Sequence, residues 1–215
     1  MSEWWTYGLR DLLLFSPHAY YRLFELHNLA WRPLPLVTLG LGVLTLALAL
    51  HGGLRAMRAA GLIHAACWIW VAWAFHGERY AEINPVATWF AWAFALEGVL
   101  LLGLQRARLA PAAPLQRRVG IGLMVFALVG LPLAGPLLGR SWAGAEVFGM
   151  APDPTAVATL GVLLLAEARR VWVFYVIPLA CCVVSGATLW ALDAPDFAVL
   201  PLAGLLALVV ARRGA

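Results

Sequence analysis

The sequence predicts an all-α integral membrane protein, a polytopic bundle of about seven transmembrane helices preceded by a helix at the membrane interface. Of the 215 residues, 63% are hydrophobic and only 12% are charged, about half the charged fraction of an ordinary soluble domain. The mean hydropathy is +0.84. The apolar residues also fall into separate runs, several of which reach the roughly 17–20 residues that cross a bilayer as a helix.

Residues 1–33 form a segment of mixed polarity, which we distinguish from the bundle of residues 34–215. Ser16-Pro17 predicts the start of a helix, because serine caps helix N-termini and proline suits the first helical position. One face of this helix, which ends near Ala30, carries Tyr20, Leu23, Phe24 and His27. An amphipathic, aromatic-rich helix of this kind is predicted to lie in the membrane interface.

Seven apolar segments follow the N-terminal helix. They are Leu34–Leu50, Ala59–Phe75, Val86–Leu104, Val119–Leu138, Pro154–Ala168, Val171–Leu192 and Phe197–Val210. The third and fifth begin at Asn84-Pro85 and Asp153-Pro154, which are further cap-and-proline signals. The fifth and seventh segments are near or below the usual length of a span, so a six-span protein is the alternative.

The charges of the connecting loops predict the orientation. Loops one, three and five and the C-terminus contain Arg55, Arg58, Arg106, Arg108, Arg117, Arg118, Arg169, Arg170, Arg212 and Arg213. The other loops contain most of the acids: Glu78, Glu82, Glu146, Asp153, Asp193 and Asp196. Cytoplasmic loops are enriched in arginine and lysine. The sequence therefore predicts an outer N-terminus and a cytoplasmic C-terminus, and its basic charge needs no nucleic-acid partner.

Several functional classes are disfavoured by composition. All 15 basic residues are arginine, and a retinal protein needs a lysine amine for its Schiff base. Cys67, Cys181 and Cys182 lie within apolar runs, which indicates packing residues rather than a disulfide framework. No nucleophile–base set and no close metal-ligand spacing is present, so an enzyme is not favoured and no cofactor is predicted.

Glu97 and His64 form the candidate intramembrane polar pair. Glu97 lies in the third apolar segment, and a carboxylate near mid-bilayer costs about 2.5–3.5 kcal/mol on insertion scales. His64 lies in the second segment at a similar distance from the arginine-rich side, so a hydrogen bond between the two is predicted. A relay for protons or cations is the functional interpretation, and a structural polar clamp between two helices is the alternative.

A second candidate cluster lies on the predicted outer face. It consists of His18, His27, His76, Glu78 and Glu82. Imidazole and carboxylate groups can together bind zinc or copper, although ordinary interfacial polar residues explain the same pattern. The short fifth segment also has two interpretations, because a short helix after Gly/Pro-rich residues is either a transporter binding element or simply a short bundle helix.

Motifs along nearly the whole chain resemble one family. They are Trp4-Trp5-Thr6-Tyr7, Phe15-Ser16-Pro17, Tyr20-Tyr21-Arg22-Leu23-Phe24-Glu25-Leu26, Ile83-Asn84-Pro85, Gly130-Leu131-Pro132, Gly135-Pro136, Phe148-Gly149, Pro154-Thr155 and Thr159-Leu160-Gly161. The chain resembles an uncharacterised family of bacterial multi-pass membrane proteins, a domain of unknown function loosely labelled permease-like. Members often show Cys-Pro-Thr where this chain has Asp153-Pro154-Thr155, which argues against a thiol or soft-metal role there. The resemblance implies the bacterial plasma (inner) membrane.

Two functions of different classes follow from these observations. The first is a small-solute or ion transporter, permease-like, that uses Glu97 and His64 as its polar membrane pair. The second is a non-catalytic membrane anchor or accessory subunit of a larger complex, which the scarcity of polar residues favours. Expected partners are the lipid bilayer and either a membrane complex or further copies of the same chain.

Overall fold

The computed structural model describes residues 13–105, 110–167 and 172–213, and within these ranges the regular secondary structure is helical apart from one short bridge. The helices are α1 (Pro17–Ala30), α2 (Leu34–His51), α3 (Leu54–Trp70), α4 (Ala87–Leu102), α5 (Pro114–Val125), α6 (Leu131–Leu137), α7 (Pro152–Leu165), α8 (Trp172–Ala191) and α9 (Val199–Arg213). Two-residue strands β1 (Ala110–Pro111) and β2 (Ala166–Glu167) pair antiparallel. The predicted all-α class is confirmed.

Several helices continue directly into one another. After α3 the backbone winds as a π-helix over Val71–Arg79 and a short 3-10 turn, giving one rod from Leu54 to Glu82 of 29 residues. A second π-helical segment, Phe126–Gly130, joins α5 to α6 in a rod of 24 residues. π-Helical turns are rare and occur often at functional sites. The first of these segments contains His76.

Five helical rods are long and apolar enough to span a membrane. They are Leu34–His51, Leu54–Glu82, Ala87–Gln105, Pro114–Leu137 and Trp172–Ala191. The other two predicted segments are also helices, but α7 has 14 residues and α9 has 15. At about 1.5 Å of rise per residue, α7 is roughly 21 Å long, shorter than the hydrocarbon core of a typical bilayer. The structure therefore indicates a membrane protein with at least five candidate spans.

Helix α7 lies at the centre of the bundle. All of its residues, Pro152 to Leu165, are buried, and it packs against α3, α5, α8 and α9. A helix that is apolar on every side suits such an enclosed position. The predicted start, with Asp153 as the cap and Pro154 as the first helical residue, is wrong by two positions, because α7 begins at Pro152. Asp153 therefore lies in the first turn, and its side chain bonds to α8 instead of capping its own helix.

The connections between helices gather at two ends of the bundle. At one end, which we call the arginine end, Arg117 donates to the carbonyl of Leu50 over 3.0 Å and Gln105 donates to that of Arg58 over 2.9 Å. At the other, the acidic end, Asn28 donates to the carbonyl of Ala143 over 2.8 Å. The first connection, between α2 and α3, and the third, between α4 and α5, therefore lie at the same end of the bundle. The arginines at 106, 108, 169 and 170 lie outside the described residues.

The predicted N-terminal helix is confirmed as α1, with the predicted bounds. Ser16 Oγ accepts a hydrogen bond from the Ala19 amide over 3.2 Å, and Pro17 occupies the first turn. The predicted apolar stripe is buried and packs at the acidic end, where the Phe24 and Phe75 rings lie 5.1 Å apart. Its position in a membrane interface stays a prediction. The motif at residues 4–7 lies outside the described residues.

Candidate functional site

A hydrogen-bonded cluster joins α3 to the central helix. Thr159 Oγ1 donates to the Thr155 carbonyl over 2.8 Å and accepts from Trp68 Nε1 over 2.8 Å. His64 Nδ1 lies 2.8 Å from the same hydroxyl oxygen. A hydroxyl has one proton to donate, and here it goes to the carbonyl, so His64 donates through Nδ1–H. His64 Nε2 then carries a lone pair, is buried, and has no hydrogen-bond partner among the described residues.

Glu97 is fully buried on α4, and both of its carboxyl oxygens lack a hydrogen-bond partner among the described residues. The predicted hydrogen bond between Glu97 and His64 is therefore wrong. The prediction that His64 and Glu97 lie at a similar depth agrees with the structure. The rings of Trp68 and Phe94 are in contact in a tilted arrangement, with their centroids 4.3 Å apart. His64 lies four residues from Trp68 and Glu97 three residues from Phe94, both toward the arginine end, or about 6 Å and about 4.5 Å of helix rise.

A partly open cavity of about 150 Å³ lies nearer the acidic end, between α1, α4, α7, α8 and the π-helix that follows α3. We call it the aromatic cavity. Most of its wall is apolar and aromatic. Its polar wall residues include Tyr20, His76, Tyr80, Asp153 and Ser185.

His76 and Asp153 are the two ionisable groups of the aromatic cavity with the least exposure. His76 is 3% exposed, and neither ring nitrogen has a hydrogen-bond partner among the described residues. Its ring lies 4.4 Å from that of Phe94, centroid to centroid. Asp153 is 4% exposed. Its Oδ1 accepts a short hydrogen bond from Ser185 Oγ and lies 3.8 Å from Cys181 Sγ. The cavity thus combines a carboxylate and an imidazole inside an aromatic wall.

A second pocket of about 200 Å³, the vestibule, lies at the acidic end and is lined partly by His18, Tyr21, Arg140 and Glu146. Arg140 is fixed there. Its Nη2 donates to both carboxyl oxygens of Asp196 over 2.9 Å, and its guanidinium carbon lies 4.1 Å from the centre of the Tyr21 ring. Such bidentate and cation–π contacts hold an arginine in one orientation.

Glu146 connects the vestibule to the aromatic cavity. It lines the vestibule, and its carboxyl group interacts with that of Asp153, which lines the cavity. Burial, followed by the nearby Asp153 charge, raises the pKa of Glu146 well above its usual range. The same two acids also affect the hydroxyl group of Tyr20. Burial and then Asp153 and Glu146 raise the pKa of its hydroxyl. A proton shared between the two hydrogen-bonded carboxyl groups leaves the Glu146–Asp153 pair with one negative charge at most.

The predicted outer-face histidines separate into three environments. His18 is exposed in the vestibule and His76 is enclosed in the aromatic cavity. His27 is 1% exposed, with its ring 5.4 Å from that of Phe75. Burial, with a smaller effect of Arg79, lowers the pKa of His27 to about 4.

The two acids of that predicted cluster lie apart from the cavities. Glu78 and Glu82 are exposed, and Glu82 is 3.7 Å from the guanidinium of Arg79. Over the described ranges, no group of three or more histidine, cysteine, aspartate or glutamate side chains is arranged to hold a metal ion. The metal interpretation thus receives no support from the described part of the chain.

Sequence reasoning missed Asp153, Glu146 and Thr159 as parts of the site. Asp153 and Glu146 were assigned to outer loops by their charge, although both interact within the bundle. One signal was present for the threonines. Thr155 and Thr159 are four residues apart in an otherwise apolar helix, so they share one face. That face meets Trp68 and His64.

These features define a class: a multi-helical membrane protein that buries ionisable side chains around an enclosed central helix. A model of the family of unknown function DUF6064 matches residues 17–214, and the chain belongs to this family. The predicted resemblance to a family of uncharacterised proteins is thereby confirmed. Comparisons with curated proteins and with solved structures give no match.

Proposed function

We propose that this protein is a small transporter of the bacterial plasma membrane, which carries protons or a small cation past Glu97 and His64. The observation that carries the proposal is the Glu97 carboxyl group, fully buried without a hydrogen-bond partner among the described residues. Ionisable residues within membrane spans are costly and typically line pathways for ions or protons. A purely structural clamp would be expected to satisfy its own polar atoms.

The proposed pathway connects the polar residues through ring contacts and hydrogen bonds, with the apolar Phe94 ring between His76 and Trp68. From the acidic end it runs from the vestibule past Glu146 and Asp153 into the aromatic cavity, and then to His76. The Phe94 ring touches those of both His76 and Trp68. Trp68 in turn shares the Thr159 hydroxyl with His64. The free lone pair on His64 Nε2 and the Glu97 oxygens are the next acceptors toward the arginine end.

The proposed membrane arrangement has seven crossings with the arginine end in the cytoplasm. Helices α7 and α9 cross as short segments, because neighbouring helices enclose the first of them completely. The acidic end, with α1 and the vestibule, then faces outward. This orientation places the negative charge of the Glu146–Asp153 pair on the side where external cations arrive.

The decisive experiment measures proton flux in proteoliposomes that contain an entrapped pH-sensitive dye. We expect Glu97→Gln to reduce proton flux by at least about tenfold. Removal of a side chain that transfers protons commonly slows the transfer by that factor or more. Glu78→Gln, which makes the same change at an exposed acid, should leave flux unchanged. If Glu97→Gln transports protons like the parent protein, the relay is wrong.

The second candidate function, a membrane subunit of a larger complex, has one specific observation in its favour. Trp89 and Trp92 on α4 are 74% and 70% exposed, and exposed aromatic side chains suit either lipid or a partner helix. Purification in mild detergent distinguishes the two candidates. A stoichiometric partner that is lost in a Trp92→Ala variant would favour the subunit, whereas a protein that purifies alone and is active would favour the transporter.

A further inference from the structure

We propose that the aromatic cavity binds a small protonated amine, of the size of ammonium or methylammonium, with Asp153 as the counter-ion and His76 as a hydrogen-bond acceptor. The inference rests on the proposed transport function and names the substrate class of that pathway.

The wall of the cavity is suited to a cation. Around His76, the ring centroids of Phe75, Tyr80, Phe90 and Phe94 lie between 4.4 and 6.0 Å away. Aromatic faces within about 6 Å of a cation attract it through their quadrupole, most strongly where water is excluded. The same rings offer little to an anion.

The charge of the cavity has one sign. Asp153 contributes a carboxyl group, and no arginine lies in the wall among the described residues. The nearest vestibule cation, Arg140, is already paired through both oxygens of Asp196. Glu146 adds a second carboxyl group at the entrance. A protonated amine in the cavity would therefore face the Glu146–Asp153 carboxyl pair and its negative charge.

His76 distinguishes an amine with N–H bonds from a fully alkylated cation. Both of its nitrogens are buried without a hydrogen-bond partner in the described part of the protein, although its side chain lines the cavity. A neutral imidazole has one acceptor nitrogen, and an unsatisfied buried acceptor costs free energy that an N–H donor recovers. A protonated amine can donate to His76 and to Asp153 at once, which a quaternary ammonium ion cannot do.

The size of the cavity suits a small amine, and its ligand set does not suit calcium. The cavity volume of about 150 Å³ is well above the roughly 10–15 Å³ that one water molecule needs. That space fits ammonium or a one-carbon amine. Calcium takes six to eight oxygen ligands, whereas this wall supplies a single carboxylate and a few hydroxyl groups.

The test is equilibrium binding of radiolabelled methylammonium to the purified full-length protein in detergent. We expect saturable binding that ammonium displaces and that tetramethylammonium and sodium, at equal concentration, do not. Asp153→Asn should weaken binding by about tenfold or more, because it removes a charge-assisted hydrogen bond. The matched control Glu78→Gln changes an exposed acid at the same end of the molecule and should bind like the parent protein.

A second variant keeps the test decisive if Asp153→Asn does not fold. His76→Phe preserves the ring and the packing but removes the acceptor, so it should weaken methylammonium binding several-fold while tetramethylammonium still fails to compete. Absence of saturable binding by the parent protein, or full binding by folded His76→Phe and Asp153→Asn proteins, overturns the inference. Proton flux without amine binding would overturn this inference alone, and amine binding without flux would overturn only the relay through Glu97.

Discussion

At the scale of single residues, helix rise predicted which polar groups share a depth but not which of them touch. Counting residues from the arginine-rich loops placed Glu97 and His64 at one level, and both are buried there. The direction in which each side chain points around its helix axis depends on how the helices pack, and no local sequence pattern specifies that packing. His64 therefore points to Thr159 on α7, a helix that lies far away in the chain and whose central position no local pattern reveals.

Thr159→Val should destabilise the protein, because it leaves two buried donors without an acceptor. Valine has the shape of threonine, but Trp68 Nε1 and His64 Nδ1 then lose the hydroxyl oxygen. Each unpaired buried donor costs about 1–3 kcal/mol. The midpoint of thermal unfolding in detergent should fall by several degrees. Thr88→Val, at an exposed position of α4, is the control, and equal midpoints for the two variants would contradict the assigned hydrogen bonds.

His27 should make the docking of α1 sensitive to acid. Because burial lowers its pKa from 6.5 to about 4, the unfolded chain binds a proton between these values while the folded protein does not. Stability therefore falls as the pH drops from about 6.5 to about 4, and the contribution is intact above that window. We expect the loss in thermal midpoint between pH 7.5 and 4.5 to be smaller for His27→Phe than for the parent protein.

The control for this measurement is His18→Gln, because His18 is an exposed histidine of the same helix. It should keep the acid sensitivity of the parent protein. If His27→Phe loses as much stability on acidification as His18→Gln, then other groups cause the effect and His27 is not the residue that titrates.

At the scale of elements, the sequence predicted the helices well because their signals are local. Ser16 and Pro17 defined the start of α1, and apolar runs defined the longer helices. Enclosure of α7 was not predictable, because a run of apolar residues suits lipid and protein surroundings equally. Its packing depends on glycines. A Cβ on Gly161 would lie 2.6 Å from the Gly120 carbonyl oxygen, and one on Gly120 would lie 2.7 Å from that of Gly161.

Gly161→Ala should separate α5 from α7 and destabilise the bundle. The added methyl group meets backbone, which cannot move as a side chain can, and inserting a methyl group into a packed core typically costs about 1–3 kcal/mol. Gly122→Ala is the matched control, since nothing lies within 4 Å of its Cβ position. We expect a lower thermal midpoint for Gly161→Ala and an unchanged or higher one for Gly122→Ala. Equal midpoints would mean that the helices are not in close contact.

At the scale of the whole molecule, loop charge and three-dimensional packing divide the protein in the same way. The first and third connections meet at the arginine end, where the sequence alone placed them. At the acidic end, Asn28 reaches the connection before α7 through two carbonyls at 2.8 Å. Which end faces the cytoplasm depends on insertion, since basic loops are retained on that side. It can therefore be tested without knowledge of any substrate.

Single cysteines introduced at the two ends should react oppositely with a membrane-impermeant maleimide. Glu78→Cys places a thiol at an exposed position of the acidic end, and Ala113→Cys places one at an exposed position of the arginine end. With the arginine end in the cytoplasm, the Glu78→Cys protein is labelled on intact cells and the Ala113→Cys protein only after permeabilisation.

The parent protein serves as the control for labelling, because Cys67 and Cys182 are buried and Cys181 is only partly accessible. It should remain weakly labelled under both conditions. The reverse pattern would place Glu146 and Asp153 on the cytoplasmic side, so that cations would approach the aromatic cavity from within the cell. Labelling of both variants on intact cells would mean that the two ends face the same side. The number of crossings between Glu78 and Ala113 would then be even, and α4 would not cross the membrane.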